Sequence, residues 1–395
     1  GQMTFIQSIK KLTPFYYLNF KTMKMKTYFV AALATMTLAA CSKDAETGAP
    51  PPAAKTTCEV SLPGALETYA VEDPQAAGQI APYYENVVVY LVDAGNNAMG
   101  YSWTDAEISA KQKRFEQVVE PAKVIVVANT GSTSLLTGPT SLASIENGLK
   151  NLAVADQNRA VKTIGAADVK GNAAGDYLSV QQVALYGEQT TFTSETPTDG
   201  HTLKKAAVEL KSLVSRFEVG TVKAGTGLDA LTVEAVYVNF FYNDYGQTSS
   251  QNFSELTWPV TYTPAWATDA ANAAVTSQTG TKAYTYQVFA GSLIPHIIYK
   301  VSGTVSAGYK LADGTGDADN STSFTGKYIT VKGFRDSGSL ISEIEAHKIY
   351  KMGLADSGIE ITPDKITDKP EKAKIDLIVA VSVADWTVAN VTPEI

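Results

Sequence analysis

Short runs of alternating apolar and polar residues dominate the chain, separated by Gly, Pro, Asn and Asp clusters. In Thr56-Thr57-Cys58-Glu59-Val60-Ser61-Leu62, residues Thr56, Cys58, Val60 and Leu62 fall on one face and Thr57, Glu59 and Ser61 on the other. That is the period-2 signature of a half-buried strand. Pro63-Gly64 closes it, and residues 67–79 read as a polar loop. Val87-Val88-Val89-Tyr90-Leu91-Val92 is a continuous apolar run, as expected of a buried strand, and Asp93-Ala94-Gly95-Asn96-Asn97 is its turn. Lys123-Val124-Ile125-Val126-Val127-Ala128 is a second buried strand, closed by Asn129-Thr130-Gly131. The period then changes. Leu142, Ile145, Leu149 and Leu152 lie at helical spacing, with Thr140 or Ser141 placed to cap a short helix. Strand character returns over residues 177–186, 207–222, 231–242, 284–289, 296–305, 327–331 and 347–352. Strands without alternating helices predict sandwiches and not a parallel α/β sheet.

Residues 190–201 are polar and contain Pro197, which places a domain boundary near their end. The expected organisation is an N-terminal β-sandwich over residues 56–203, a C-terminal one over 204–362, and a linker with a last strand over 363–395. Residues 311–323, rich in Gly, Asp and Asn, read as a surface loop. Residues 361–374 contain Pro363, Pro370 and a concentration of charge, and read as a solvated linker. Beyond them, Ile375, Leu377, Val379, Val381 and Val383 project to one face of a long strand, with Asp376, Ile378, Ala380 and Ser382 on the other. Such a strand either completes its own sheet or is presented to another molecule.

The first forty residues read as an address. Lys24 and Lys26 follow two alternative starts, Met23 and Met25, and precede an uncharged apolar run over residues 28–40. At 13 residues this run is too short to span a bilayer as a helix and has the length of a signal-peptide core. Residues 1–22 read as an over-extended start, residues 41–55, with Pro50-Pro51-Pro52, as a semi-extended tether.

Composition narrows the chemistry. With 45% hydrophobic and 18% charged residues, the chain can build real cores. A formal net charge of -8, with no basic block, excludes nucleic acid as the main partner. Only His201, His296 and His347, and only Cys41 and Cys58, are available for metal or nucleophile chemistry. No Walker A, G-x-S-x-G, H-E-x-x-H or paired-cysteine motif occurs. The chain therefore reads as non-enzymatic, with no cofactor and no metal. His296, in Pro295-His296-Ile297-Ile298-Tyr299, reads as a structural histidine, and His347 as an exposed strand start. Asp313-Gly314-Thr315-Gly316-Asp317-Ala318-Asp319-Asn320 lacks the closing Glu of an EF-hand and reads as a turn. The acidic residues 67–73 read as solvated. Trp258, Tyr262 and Trp266 could stack on sugars, which defines an alternative as a glycan-binding surface lipoprotein; packing within the fold is the simpler role.

Leu38-Ala39-Ala40-Cys41 resembles the lipobox of bacterial lipoproteins, in which the cysteine is acylated and becomes the first residue of the mature chain. Ser42-Lys43-Asp44-Ala45-Glu46 resembles the charged surface-export signal of Bacteroidales lipoproteins. Together with Val126-Val127-Ala128-Asn129-Thr130-Gly131 before a helix, His347-Lys348-Ile349-Tyr350, and the late Val381-x-Val383-x-x-Trp386, these features resemble the fimbrillins of Bacteroidales, the subunits of type V pili. The resemblance implies an all-β chain of two transthyretin-like β-sandwich domains in tandem, with one short helix in the N-terminal domain. It implies lipid on Cys41 of an outer-membrane precursor, removal of a first strand carrying Cys58, Val60 and Leu62, and refilling of its place by a donor strand carrying Ile375, Leu377, Val379, Val381 and Val383. The partners would be other fimbrial subunits in a head-to-tail homopolymer on the cell surface, with a host or bacterial surface ligand for adhesion or biofilm formation. The chain departs from the family in one respect. Its first arginine is Arg114, so an arginine-specific cut just after the first strand is not available. Either another protease cuts within residues 63–79, or the chain is a lipid-anchored base subunit that keeps its first strand.

Overall fold

The computed structural model describes residues 55–62, 65–66, 84, 86–158, 162–164, 178–180, 183–195, 202–220, 222–259, 284–353, 359–373, 375, 377–385 and 388–389. The expectations for Cys41, the signal peptide, the acidic residues 67–73, His201, Tyr262 and Trp266 lie outside them.

The N-terminal strands are β1 (Lys55–Ser61), β2 (Val87–Val92), β3 (Asn97–Ser102), β4 (Gln112–Val119), β5 (Lys123–Ala128), β6 (Leu185–Gln189) and β7 (Leu203–Ala207). A six-stranded sheet runs Lys211–Ser212, β6, β5, β2, β3, Gly138–Ser141. At its centre every residue of β2 is buried, as the unbroken apolar run requires. A four-stranded sheet runs Thr193–Glu195, β7, β1, β4. The Tyr101 ring of β3 lies 4.7 Å from the Phe115 ring of β4, so the two sheets meet face to face. Helix α2 (Leu142–Leu149) is capped by Ser141, which accepts from Ser144 N, and buries Ile145 and Leu149.

A second short helix, α1 (Asp105–Ala110), was not visible in the hydrophobic pattern, because none of its residues is buried. Its start is set by a capping box between Thr104 and Glu107. Val154–Gln157 adds one more helical turn. The expectation of a single short helix is corrected accordingly.

The C-terminal strands are β8 (Val214–Val219), β9 (Leu228–Asn239), β10 (Tyr284–Phe289), β11 (His296–Val305), β12 (Thr322–Asp336), β13 (Lys348–Met352) and β14 (Leu377–Asp385). They form one sheet in the order β9, β11, β12, β14, β13, β8, β10, with Ser339–Leu340 beside β12. The sheet curls over itself. Phe217 of β8 lies 5.4 Å from Phe334 of β12 and stacks on Tyr350 of β13 at 5.0 Å, and Tyr299 Oη of β11 donates to Gly220 O at 2.9 Å. Trp258 packs edge-on against Tyr237 and Phe253, so its ring is engaged within the fold.

β8 is buried on both faces, and Arg216 and Glu218 on its second face are fully buried as a pair, Nε to Oε1 at 3.0 Å. Gln287 N donates to Asn158 Oδ1 at 2.7 Å and Asn158 Nδ2 returns to Gln287 O at 2.8 Å. Residues 53–395 cluster as one compact unit.

Three sequence expectations change. The sheets exchange chain at Leu213, between Lys211–Ser212 and β8, and not at residue 203: β7 pairs with β1 in the N-terminal sheet. Thr193–Glu195 and β7 pair within that sheet, on either side of the polar stretch around Pro197 in the sequence, while the crossover at Leu213 carries no Gly or Pro. The surface loop over residues 311–323 begins on a buried Leu311. The linker over residues 361–374 is not solvated: Ile361, Pro363, Ile366, Thr367, Pro370 and Glu371 are all buried. Its Pro and charge content hid two apolar anchors and a buried carboxylate with partners distant in sequence.

Candidate functional site: strands β1 and β14

β1 lies in the middle of its sheet. It runs parallel to β7, with Cys58 opposite Lys204 and Val60 opposite Ala206, and antiparallel to β4, with Cys58 opposite Phe115 and Val60 opposite Lys113. Cys58 and Val60 are fully buried and Leu62 is nearly so, packed with Phe115, Val118 and Ala206 in the core. Burial pushes the Cys58 thiol up to about 12, which keeps it neutral and inert. The outward residues are held as well. Thr57 Oγ1 donates to Glu116 Oε2 at 2.8 Å, and the Glu59 carboxylate faces Lys205 Nζ at 3.9 Å. Both neighbours of β1 come from far along the chain, so the covalent link from β1 to the rest of its sandwich runs through the residues after Leu62.

β14 lies in the middle of the other sheet. It runs parallel to β12, with Leu377 opposite Val331 and Val379 opposite Phe334, and antiparallel to β13, with Val383 opposite Tyr350. Val379 and Val381 are buried, while Leu377 and Val383 are half-buried against the same core. Ile378, on the other face, is exposed. The inward face is the one that the alternation predicts, but in this molecule it is covered by the chain's own core. The strand is not free at the end of a tether: it is the strand that joins the two halves of the curled sheet.

The segment before β14 carries a buried polar cluster. His296 Nδ1 donates to Glu371, at 2.8 Å from Oε2 and 3.0 Å from Oε1, and Asn239 Nδ2 donates to Oε1 at 2.9 Å. Phe240 stacks on the His296 ring at 4.6 Å. His296 is thus a satisfied structural histidine. His347, expected to be exposed, is half-buried and accepts from Ser212 N at 3.2 Å through Nδ1, which ties the crossover to the start of β13.

A cleft of 460 Å³ beside Ile375 is lined by Glu255, Asp313, Asp368 and Lys372. Its charges are mutually engaged: Lys372 Nζ lies 2.6 Å from Glu255 and 3.3 Å from Asp368, and Asp313 pairs with Lys327. Partial burial works to raise the Asp313 carboxyl, but Lys327 and the hydrogen bonds from Thr315 hold it below its ordinary range. Asp317 accepts from Asp319 N and Asn320 N and closes its own turn. Among the described residues no group of three or more His, Cys, Asp or Glu side chains is arranged to hold a metal ion.

No family model matches the chain, and no curated protein matches it. Solved structures similar to the chain include fimbrial proteins and putative cell adhesion proteins from Porphyromonas, Parabacteroides and Bacteroides. A fimbrillin from Porphyromonas gingivalis shares 16% identity at a TM-score of 0.43, covering 85% of this chain and 99% of its own. A fimbrial assembly protein from Parabacteroides distasonis shares 14% at 0.34, covering 76% and 90%. A tip fimbrial protein from P. gingivalis, with a C-terminal truncation, shares 11% at 0.33, covering 84% and 100%.

Proposed function

We propose that this chain is a structural subunit of a cell-surface fimbria, exported as a lipoprotein through Cys41 and joined head to tail to further copies by exchange of terminal strands. The carrying observation is that β1, in the N-terminal part of the fold, and β14, in the C-terminal part, each lie inside a sheet with one parallel and one antiparallel neighbour. A strand seated in either place has one parallel and one antiparallel neighbour, although the place of β1 pairs both edges along its length and that of β14 pairs them in succession. Loss of β1 after a cut within residues 63–79 opens an apolar slot and unpaired edges on β4 and β7. The last strand of a second copy, with Ile375, Leu377, Val379, Val381 and Val383 facing inward, fills it by β-augmentation. Five such side chains bring a gross burial term of about 8–15 kcal/mol, from which the burial given up in the home sheet is subtracted. Because the contact joins unlike surfaces, it repeats without closing and builds a filament.

The test is the N-terminus of the subunit in purified surface filaments. A start within residues 63–79 is expected. A start at Cys41 rejects removal of β1 and assigns the lipid-anchored base role, which the absence of any arginine before Arg114 favours.

A further inference from the structure

We infer that residues 361–372 form a fixed clasp, so that a donated β14 pivots at Ala373 and its acceptor is a second copy abutting this end of the C-terminal sheet. The partner in this inference rests on the strand-exchange reading above; the clasp does not.

The clasp is fastened at successive points to separate parts of the fold. Gly225 N donates to Ile361 O at 2.9 Å, and Ala312 N to Ile366 O at 3.1 Å. Thr367 and Tyr328 exchange two backbone hydrogen bonds, at 2.8 and 2.9 Å. Glu371 N donates to Thr330 Oγ1 at 3.1 Å, while the Glu371 carboxylate takes the His296 and Asn239 donors. Lys332 Nζ donates to Lys372 O at 2.6 Å, and Lys372 itself reaches Glu255 and Asp368. Glu371 holds this place with φ 61, a left-handed conformation that a non-glycine residue adopts only when its surroundings fix it. Ile361 and Ile366 are fully buried. Opening the clasp would strand a buried carboxylate's partners and two buried isoleucines together, whereas β14 beyond it has exposed residues at Ile378, Ala380 and Ser382.

The reach of the donor follows. If residues 361–374 were free, they would span about 46 Å at ~3.3 Å per residue. With the clasp closed, four chain positions lie between Lys372 and Leu377, about 13 Å on the same scale. The acceptor must therefore sit directly against the donor subunit.

Two measurements on the full chain test this. In the unmodified protein, hydrogen exchange at the amides of Tyr328, Thr367 and Glu371 is expected to be at least about tenfold slower than at Val379 and Val381. Faster exchange in the clasp than in β14 overturns the inference. Disulfide locks then probe assembly, read as detergent-resistant multimers on the cell surface. Tyr328→Cys with Thr367→Cys, placed on a paired position suited to a disulfide, locks the clasp; Arg335→Cys with Ala380→Cys, also register partners, locks β14. The clasp lock is expected to leave assembly intact and the β14 lock to abolish it until reduced. Loss of assembly with the clasp lock, restored by reduction, overturns the clasp. Normal assembly with β14 locked overturns strand donation instead, and the exchange measurement alone then decides the clasp.

Discussion

β1 is hydrogen-bonded on both edges along its length, to β4 and to β7. β14 is bonded to β12 through residues 377–381 and to β13 through residues 382–385, so it is held on one edge at a time. The inward residues differ in the same sense. Cys58 and Val60 have no exposure, whereas Val379 and Val381 retain 7% and 8%, and Leu377 and Val383 are only half-buried. Equal kinds of place are thus filled with unequal strength. A strand that is to leave should be the one bonded on alternate edges, and a strand to be removed from the other sheet needs a covalent cut to leave at all. Under the strand exchange proposed above, moving β14 into the place of β1 would trade one paired edge for two.

The largest expected effect contrasts the two strands directly. Val60→Asp places an unpaired carboxylate at a fully buried position of β1 and is expected to cost about 3–5 kcal/mol of folding stability. Val379→Asp also destabilises the monomer, because β14 belongs to its own core here, but by less, about 2–3 kcal/mol, since the strand can shift toward its open edge. Denaturant unfolding of the two variants measures both. An equal or larger loss for Val379→Asp breaks the ranking of the strands.

The alternation of Cys58, Val60 and Leu62 and that of Leu377, Val379, Val381 and Val383 were both legible in the sequence, and the inward faces are the ones the period requires. Period 2 says that one face of a strand meets an apolar surface; it does not say which molecule supplies that surface. The seat of β14 was therefore beyond the pattern. The clasp was illegible for another reason. Glu371 finds its partners at His296 and Asn239, 75 and 132 positions away, and no local rule relates them. The crossover at Leu213 was missed because a strand that changes sheets without a turn leaves no punctuation.

A smaller effect concerns the thiol of β1. Its folded value of about 12 lies above the ordinary thiol value near 9. The neutral form is favoured in the fold, so the Cys58 contribution to stability is fully present below pH 9 and is lost as pH rises toward 12. At neutral pH a maleimide is expected to leave Cys58 unmodified in the folded chain and to modify it once β1 is lifted out. Peptide mapping after labelling reads this at Cys58 itself. Rapid native-state labelling there would show that β1 leaves its sheet without a cut, and would erase the difference between the two strands.

The smallest effect lies on the outer face of β14. Ile378 is 44% exposed and has Gly333 as its register partner on β12, with Leu340 close to the same glycine. Truncation there removes little buried area, so Ile378→Thr is expected to change folding stability by no more than about 0.5 kcal/mol, and β-branching at the position is kept. In the slot vacated by β1 the corresponding outward positions are those of Thr57, Glu59 and Ser61, all polar, which a threonine matches better than an isoleucine. Ile378→Thr is accordingly expected to leave the melting temperature and filament yield near those of the parent chain. A loss of filaments at unchanged monomer stability would show that the exposed face of β14, and not only its inward face, is buried on assembly.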